Sequence, residues 1–101
     1  MTYCYGATMT KSIIQSHKAC YVTGCEYGVD AHHCFKGSRR KKADKYGLIV
    51  YLKHDIHMAM HDHCKPYENL ENELKQVAQR AFEEHYSREL FMREFGANYL
   101  P

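Results

Sequence analysis

DAHHC at residues 30–34 and HDIHMAMH at residues 54–61 decide the fold and indicate the chemistry of this chain. The first stretch is typical of a β-strand and the second of a helix. Histidines at positions 57 and 61 are four apart, so both lie on one face of that helix. Four imidazoles that converge would provide three nitrogen ligands for a metal and one free base. The basic run RRKK at residues 39–42 adds charge suited to phosphate. Together these features indicate metal-dependent chemistry on nucleic acid.

Length and composition predict one small globular domain of 101 residues. No apolar run approaches the roughly 18 residues of a membrane span, and no signal peptide is visible at the start. We therefore expect a cytoplasmic protein with no membrane partner. Five cysteines are an odd number for a disulfide framework, which favours reduced thiols. Eight histidines are present, and six of them fall between positions 32 and 63, a clustering that favours metal binding over scattered surface positions.

Charge is unevenly distributed, although the net charge is only +2. Residues 36–45 carry six lysines or arginines and one acidic residue, whereas residues 68–94 carry most of the acids. This asymmetry predicts one face suited to phosphate and one that is merely solvated.

The pattern of residues predicts helices and strands in a definite order. Thr10 could cap a short helix that ends near His17. A tight turn with Gly24 at its bend follows, and residues 29–35 form a short strand. Residues 37–42 are expected to be a loop, since glycine, serine and self-repelling charges disfavour burial. Residues 48–52 are the clearest strand.

Three helices are predicted after the second strand. Asp55 is predicted to be the N-cap of a helix that ends near Asp62. Ser87 is the N-cap of a last short helix, and Gly96 ends it. Between them lies the longest periodic segment, whose apolar stripe consists of Leu70, Leu74, Val77, Ala78, Ala81, Phe82 and Tyr86.

This order predicts an α+β fold in three parts that form one compact domain. Residues 1–18 are an N-terminal arm and short helix, residues 19–65 are a ββα core, and residues 66–101 are a two-helix tail. The amphipathic tail helices could also form a homodimer interface.

The ordered set of motifs resembles the HNH (ββα-metal) endonuclease superfamily and, more closely, the small HNH-type proteins of phages and prophages of bacteria. The resemblance covers residues 11–100. The segments that carry it are Cys20 to Gly24, His32 to Phe35, Arg40 to Gly47, Val50 to Leu52, Asp55 to His57 and Phe91 to Leu100.

The resemblance implies a role for each histidine. His33 would be the general base that takes a proton from the attacking water. His32 and His57 would ligate a divalent metal, and His61, one helical turn further on, is placed for a third ligand as in the colicin-type branch. The basic residues Arg39, Arg40, Lys41, Lys42 and Lys45 would contact the phosphates of DNA without reading its sequence.

Two features depart from the family pattern. The asparagine that orients the base usually stands just before the second strand, but here Tyr46 and Gly47 occupy that neighbourhood, which leaves Asp44 or backbone carbonyls to orient His33. The second CxxC pair of the zinc knuckle is also missing. Cys20 and Cys25 could bind a structural zinc with His63 or Cys64, or they could simply be small buried residues.

The types of ligand do not decide whether the metal is Mg, Mn, Ni or Zn. Three imidazoles favour zinc or nickel, whereas magnesium and manganese prefer oxygen, which Asp30 or Asp55 could supply.

Three functions follow from these features. The first is hydrolysis of phosphodiester bonds in DNA by a phage- or prophage-encoded HNH-type endonuclease in the bacterial cytoplasm. The second is a catalytically degenerate relative that binds nucleic acid or a phage or host protein, for instance as an inhibitor of a host defence system. The third is a metal-buffering or structural zinc domain.

Overall fold

The computed structural model describes residues 11–101. Within this range the chain forms a two-stranded antiparallel sheet and four α-helices, a small α+β fold. Strand β1 spans Val29–His33, and a 3-10 turn at Gly37–Arg39 leads into helix α1, Arg40–Tyr46. Strand β2 spans Ile49–Lys53, and helices α2, α3 and α4 span His54–His61, Leu70–His85 and Arg88–Phe95. The α+β class predicted from the sequence is confirmed.

The two strands pair in a register that separates the adjacent histidines of β1. His32 lies opposite Val50, and His33 lies opposite Ile49. Because successive side chains alternate between the faces of a strand, His32 is buried while His33 is only partly so. Helix α2 follows β2 without a linker and packs against both strands.

The core lies where the hairpin meets α3 and α4. Its centre is an aromatic cluster in which the ring of Phe35 lies 4.7 Å from Phe95, and Phe91 stacks on Phe95 at 4.8 Å between ring centroids. The predicted stripe of α3 contributes Leu70, Leu74, Ala78 and Phe82, all of which are buried, whereas Tyr86 follows the end of the helix and is half exposed.

Gln79 is a buried polar residue of α3 that the apolar pattern missed. Its Nε2 donates to Asn98 Oδ1 at 2.7 Å and to Glu83 Oε2, and its Oε1 accepts from the backbone nitrogen of Tyr99 at 2.8 Å. These bonds attach the last residues of the chain to α3.

The prediction of a short helix before His17 is wrong for residues 11–17, which form bends; its expected cap, Thr10, lies outside the described residues. The polar groups of this segment bind β2 and Gly47, two residues before that strand. Ser12 Oγ donates to the carbonyl of Ile49, Gln15 Oε1 accepts from the nitrogen of Tyr51, and the nitrogen of Ile13 donates to Gly47. A helix would remove these bonds.

The prediction of a loop at residues 37–42 is also wrong, because residues 37–39 form a 3-10 turn and residues 40–42 form the start of α1. Lysine and arginine are good helix formers. Ala43 is fully buried, and Gly47 ends the helix in the left-handed conformation with φ 73°. Buried contacts of this kind outweigh the repulsion between exposed charges.

Two capping predictions have different outcomes. Ser87 is the N-cap of α4, where its Oγ accepts from the nitrogen of Leu90 at 3.1 Å, and Gly96 ends that helix as predicted. Asp55 is not the N-cap of α2, since that helix begins one residue earlier, at His54. Asp55 lies in the first turn, where its carboxylate accepts from the nitrogen of Ile56. None of the helices within residues 11–101 is long and apolar enough to cross a membrane.

Candidate metal centre

Three of the four histidines singled out in the sequence meet beside the sheet. His32 comes from β1, and His57 and His61 come from one face of α2. One ring nitrogen of each lies within 4.8 Å of the others. This group, the histidine triad below, is close enough to hold a metal ion and is the only such group of three or more metal-binding side chains in the described part of the chain.

His57 and His61 lie close together in the triad. Their Nε2 atoms are 3.1 Å apart. Two imidazoles bound to one zinc at about 2.0–2.1 Å place their nitrogens roughly 3.3 Å apart in tetrahedral geometry. The separation therefore suits two ligands of one ion.

His32 is the buried member of the triad and is 3 % exposed. Its Nε2 has no hydrogen-bond partner within the described residues. Burial, together with the nearby His57 and His61, lowers the pKa of His32 to about 3. Buried polar atoms are rarely left without a partner, and a neutral imidazole with a free nitrogen is the form that binds metal. The donor set therefore fits a divalent transition metal.

Asp30 lies behind the triad rather than in it. Its Oδ2 accepts from His57 Nδ1 at 3.0 Å and from His54 Nδ1 at 2.7 Å. The hydrogen bonds from His57 and His54 lower the pKa of the Asp30 carboxyl. Asp55, the other carboxylate considered from the sequence, instead accepts a bond from the backbone of its own helix. Neither carboxylate belongs to the triad, so its ligand set consists of nitrogen alone.

His33 lies on the other side of β1 from His32, the member of the triad on that strand. Its Nε2 is 3.2 Å from Asp44 Oδ1. Asp44 belongs to α1, and only the first three residues of that helix, 40–42, fall in the segment predicted to be a loop. With Nε2–H donated to the carboxylate, Nδ1 is the ring nitrogen free to accept a proton.

A cleft of about 290 Å³ joins His33 to the triad. Its lining includes all four histidines together with Lys36 and Arg40. A second cleft of about 300 Å³ is lined by His33, Arg40, Lys41 and Asp44. Arg40 and His33 are shared by the two clefts and lie between them. The histidine triad, His33 and the guanidinium of Arg40 therefore border one continuous surface.

The basic residues predicted to contact nucleic acid separate into two groups. Arg40 and Lys41 line the clefts. Lys42 turns away, and its Nζ donates to the carbonyl of Glu94 at 2.9 Å. The remaining two also have intramolecular contacts: Arg39 Nη2 lies against Gly96, and Lys45 Nζ lies 5.2 Å from the centre of the Tyr46 ring.

Lys36 is a cleft residue that the predicted phosphate-binding set did not include. It lies three residues after β1, and its Nζ forms an ion pair with Glu71 at 2.8 Å. The signal that could have found it is its place at the start of the basic segment 36–45, on the side of the strand that bears the histidines.

Cys20 and Cys25, proposed from the sequence as zinc ligands, lie at the two ends of one turn. The nitrogen of Cys20 donates to the carbonyl of Cys25 at 2.7 Å, and Gly24 provides the bend with φ 79°. Burial raises the pKa of Cys20, but hydrogen bonds from Thr23 and the nearby backbone outweigh it, so the pKa is lowered. Within residues 11–101, neither His63 nor Cys64 joins the two thiols in a group of three ligands.

Comparison of this chain with protein-family models, with curated proteins and with solved structures gives no match.

Proposed function

We propose that this protein is an HNH-type endonuclease that hydrolyses phosphodiester bonds in DNA with one divalent metal. The observation that carries the proposal is the cleft lined by His32, His57, His61, His33 and Arg40. It combines the three kinds of group that phosphodiester hydrolysis needs: metal ligands, a base and a cation for phosphate. The order β1, β2, α2 supports a ββα-metal unit.

The chemistry assigns one task to each side of the cleft. His33 takes a proton from the attacking water through Nδ1, and the carboxylate of Asp44 holds its ring through Nε2–H. Arg40 binds a non-bridging phosphate oxygen and keeps the phosphate beside the base. His32, His57 and His61 would hold the metal. When bound, such a metal supplies a Lewis acid that stabilises negative charge on the leaving 3′ oxygen.

Ligand type favours zinc or nickel over magnesium. Imidazole nitrogen suits late transition metals, whereas magnesium prefers oxygen. Asp30, the carboxylate that contacts the triad through His57, already accepts two hydrogen bonds through one oxygen.

Cleavage of supercoiled plasmid by the full chain tests the proposal. Wild type, His33→Ala and the control His85→Ala would be assayed with zinc, nickel, manganese and magnesium. His85 is exposed in the last turn of α3, away from the cleft. We expect wild type and the control to cleave, and His33→Ala to lose about 10²–10⁴-fold in kcat, the usual contribution of a general base. Zinc affinity should be unchanged in both variants.

Two results would overturn these assignments. Folded, metal-loaded wild type that cleaves no DNA with any of the four metals would overturn the hydrolase proposal. Cleavage by His33→Ala at the wild-type rate would overturn the assignment of the base.

A binding function without turnover is the second candidate, and an exposed apolar groove favours it. The groove has a volume of about 430 Å³, and its lining includes Tyr21, Val22, Pro66 and Tyr67. Tyr21 and Val22 are both more than 40 % exposed. Apolar surface rimmed by polar residues is typical of protein-binding sites. Tight binding to DNA or to a protein, with no cleavage, would favour this candidate.

A further inference from the structure

The carboxylate of Asp30 links two histidines of α2. Its Oδ2 accepts from His57 Nδ1 at 3.0 Å and from His54 Nδ1 at 2.7 Å. The two histidines are three residues apart, so they share a face of the helix. Asp30 lies on β1 opposite Leu52, one residue before the end of β2. Since β2 continues directly into α2, the sheet holds the carboxylate beside the first turn of the helix.

The hydrogen bond to Asp30 determines which nitrogen of His57 is available to a metal. An ionised carboxylate only accepts hydrogen bonds, so Nδ1 of His57 carries the proton. The lone pair of the neutral ring is then on Nε2, the atom that lies 3.1 Å from Nε2 of His61. Without the carboxylate, the proton of His57 could reside on either nitrogen, and a fraction of the molecules would present a protonated Nε2.

His54 has a different position from His57. Its side chain is 67 % exposed, whereas that of His57 is 14 % exposed, and it is not a member of the triad. Its ring donates the shorter of the two hydrogen bonds to Asp30 Oδ2. A donor that shares the same oxygen restricts the rotation of the carboxylate. His54 therefore stabilises the orientation in which Asp30 faces His57.

We propose that Asp30 is a positioning residue for the metal ligand His57, and that His54 holds Asp30 in place. The proposal rests on the metal site of the proposed function. It assigns Asp30 to the second layer of that site, where a carboxylate fixes the tautomer and ring orientation of a ligating histidine. Asp30 does not itself contact the metal.

Zinc affinity is the first test, measured on the full chain by competition with a chromophoric chelator. Loss of a partner behind a ligating histidine usually weakens metal binding about 10–100-fold. We expect that loss for Asp30→Ala and a smaller one for His54→Ala. Asp62→Asn is the matched control: it removes a negative charge near His61 but no hydrogen bond to a triad ring, so its affinity should stay within about twofold of wild type.

The tautomer of His57 is the second test and does not depend on activity. Long-range ¹H–¹⁵N correlation spectra of the metal-free protein at neutral pH should show His57 protonated on Nδ1 in wild type and in Asp62→Asn. Asp30→Ala should show a mixture of both tautomers. A role confined to stability would leave the tautomer unchanged.

The outcomes separate this proposal from the nuclease proposal. Weakened zinc binding with a mixed tautomer in Asp30→Ala supports the positioning role even if wild type cleaves no DNA. Wild-type affinity and an unchanged tautomer in Asp30→Ala would overturn it, as would wild type that binds no zinc. If Asp30→Ala does not fold, the zinc affinity of His54→Ala is the test, because an exposed side chain can be removed without opening the core. A zinc affinity of His54→Ala equal to that of wild type would then overturn the proposal.

Discussion

His33 Nε2 lies 3.2 Å from Asp44 Oδ1, which joins the last residue of β1 to the middle of α1. Asp44 is four residues after Arg40, so the two share a face of α1, and both line the cleft beside His33. One short helix between the strands therefore supplies both the partner of the proposed base and the cation proposed to bind phosphate.

Substitution of Asp44 tests its bond to His33. Asp44→Ala should lower kcat for DNA cleavage about 10–100-fold with little change in KM, because the ring of His33 loses its acceptor. Asp44→Asn should retain most of the rate, since the amide oxygen can still accept from Nε2–H. Steady-state cleavage of a plasmid would measure both. Equal losses in the two variants, or a loss that lies only in KM, would contradict the positioning role.

The two groups of basic residues should differ in DNA binding. Arg40→Ala and Lys41→Ala should each weaken binding, and each should reduce the slope of log affinity against log salt by about 0.9, the value for one neutralised phosphate. Lys42→Ala should leave that slope unchanged, because its ammonium binds the carbonyl of Glu94. Fluorescence anisotropy of labelled duplex DNA at several salt concentrations would measure the slopes. If all three substitutions reduced the salt slope equally, the division of the basic residues into two groups would be wrong.

Gly47 should tolerate no side chain. Its φ of +73° already disfavours other residues, and a Cβ built there would lie 2.5 Å from the carbonyl oxygen of Lys11. We expect Gly47→Ala to lower the free energy of unfolding by about 2–4 kcal/mol, from the conformational cost and the clash together. Gly37→Ala is the control: its φ of +63° is similar, but a Cβ would meet nothing within 4 Å, so the loss should be about 1 kcal/mol. Urea unfolding would compare them, and equal losses would refute the predicted clash.

Glu83 should make stability depend on pH in the acid range. Hydrogen bonds from Arg88 and Gln79 hold the pKa of its carboxyl below the ordinary value of 4.5. The unfolded chain therefore takes up the proton first as the pH falls, so the stabilisation is complete above about pH 4.5 and is lost as the pH falls through the lower, folded value.

Glu83→Gln should consequently be less stable than wild type at pH 7, and the difference should shrink towards pH 3. Glu84→Gln is the matched control, since Glu84 is exposed and forms no ion pair with residues 11–101. Thermal unfolding at both pH values would measure the difference. A gap between Glu83→Gln and wild type that is the same at pH 3 and pH 7 would contradict the prediction.

The sequence predicted those features that depend only on residues close together in the chain. Helix α4 begins after Ser87 and ends at Gly96 as predicted, because a cap depends only on the adjacent turn of the helix. The spacing of His57 and His61 likewise fixed their common helix face. The approach of His32 to these two residues requires β1 to lie beside α2, an arrangement that the resemblance to the ββα-metal unit implied.

Features that depend on distant partners were not predictable in the same way. Ser12 and Gln15 bind the backbone of β2 more than 30 residues away, so their segment forms no helix. The charges of α1 indicated a loop, whereas Ala43 is buried in a core formed by the rest of the chain. Asp30 was considered as an oxygen donor to metal, because the sequence could not reveal that His54 and His57 already donate to it.

The pairing of His32 with Val50 and of His33 with Ile49 has a consequence for how the chain can vary. If an insertion or deletion moved the pairing of the two strands by one residue, the alternation of β1 would exchange the two imidazoles. His33 would then enter the buried side beside α2, and His32 would face Asp44. Both rings would remain, but each would lie in the surroundings of the other, so their proposed roles would be exchanged. The pairing register of the two strands therefore determines which of two identical side chains lies beside α2 and which lies beside Asp44.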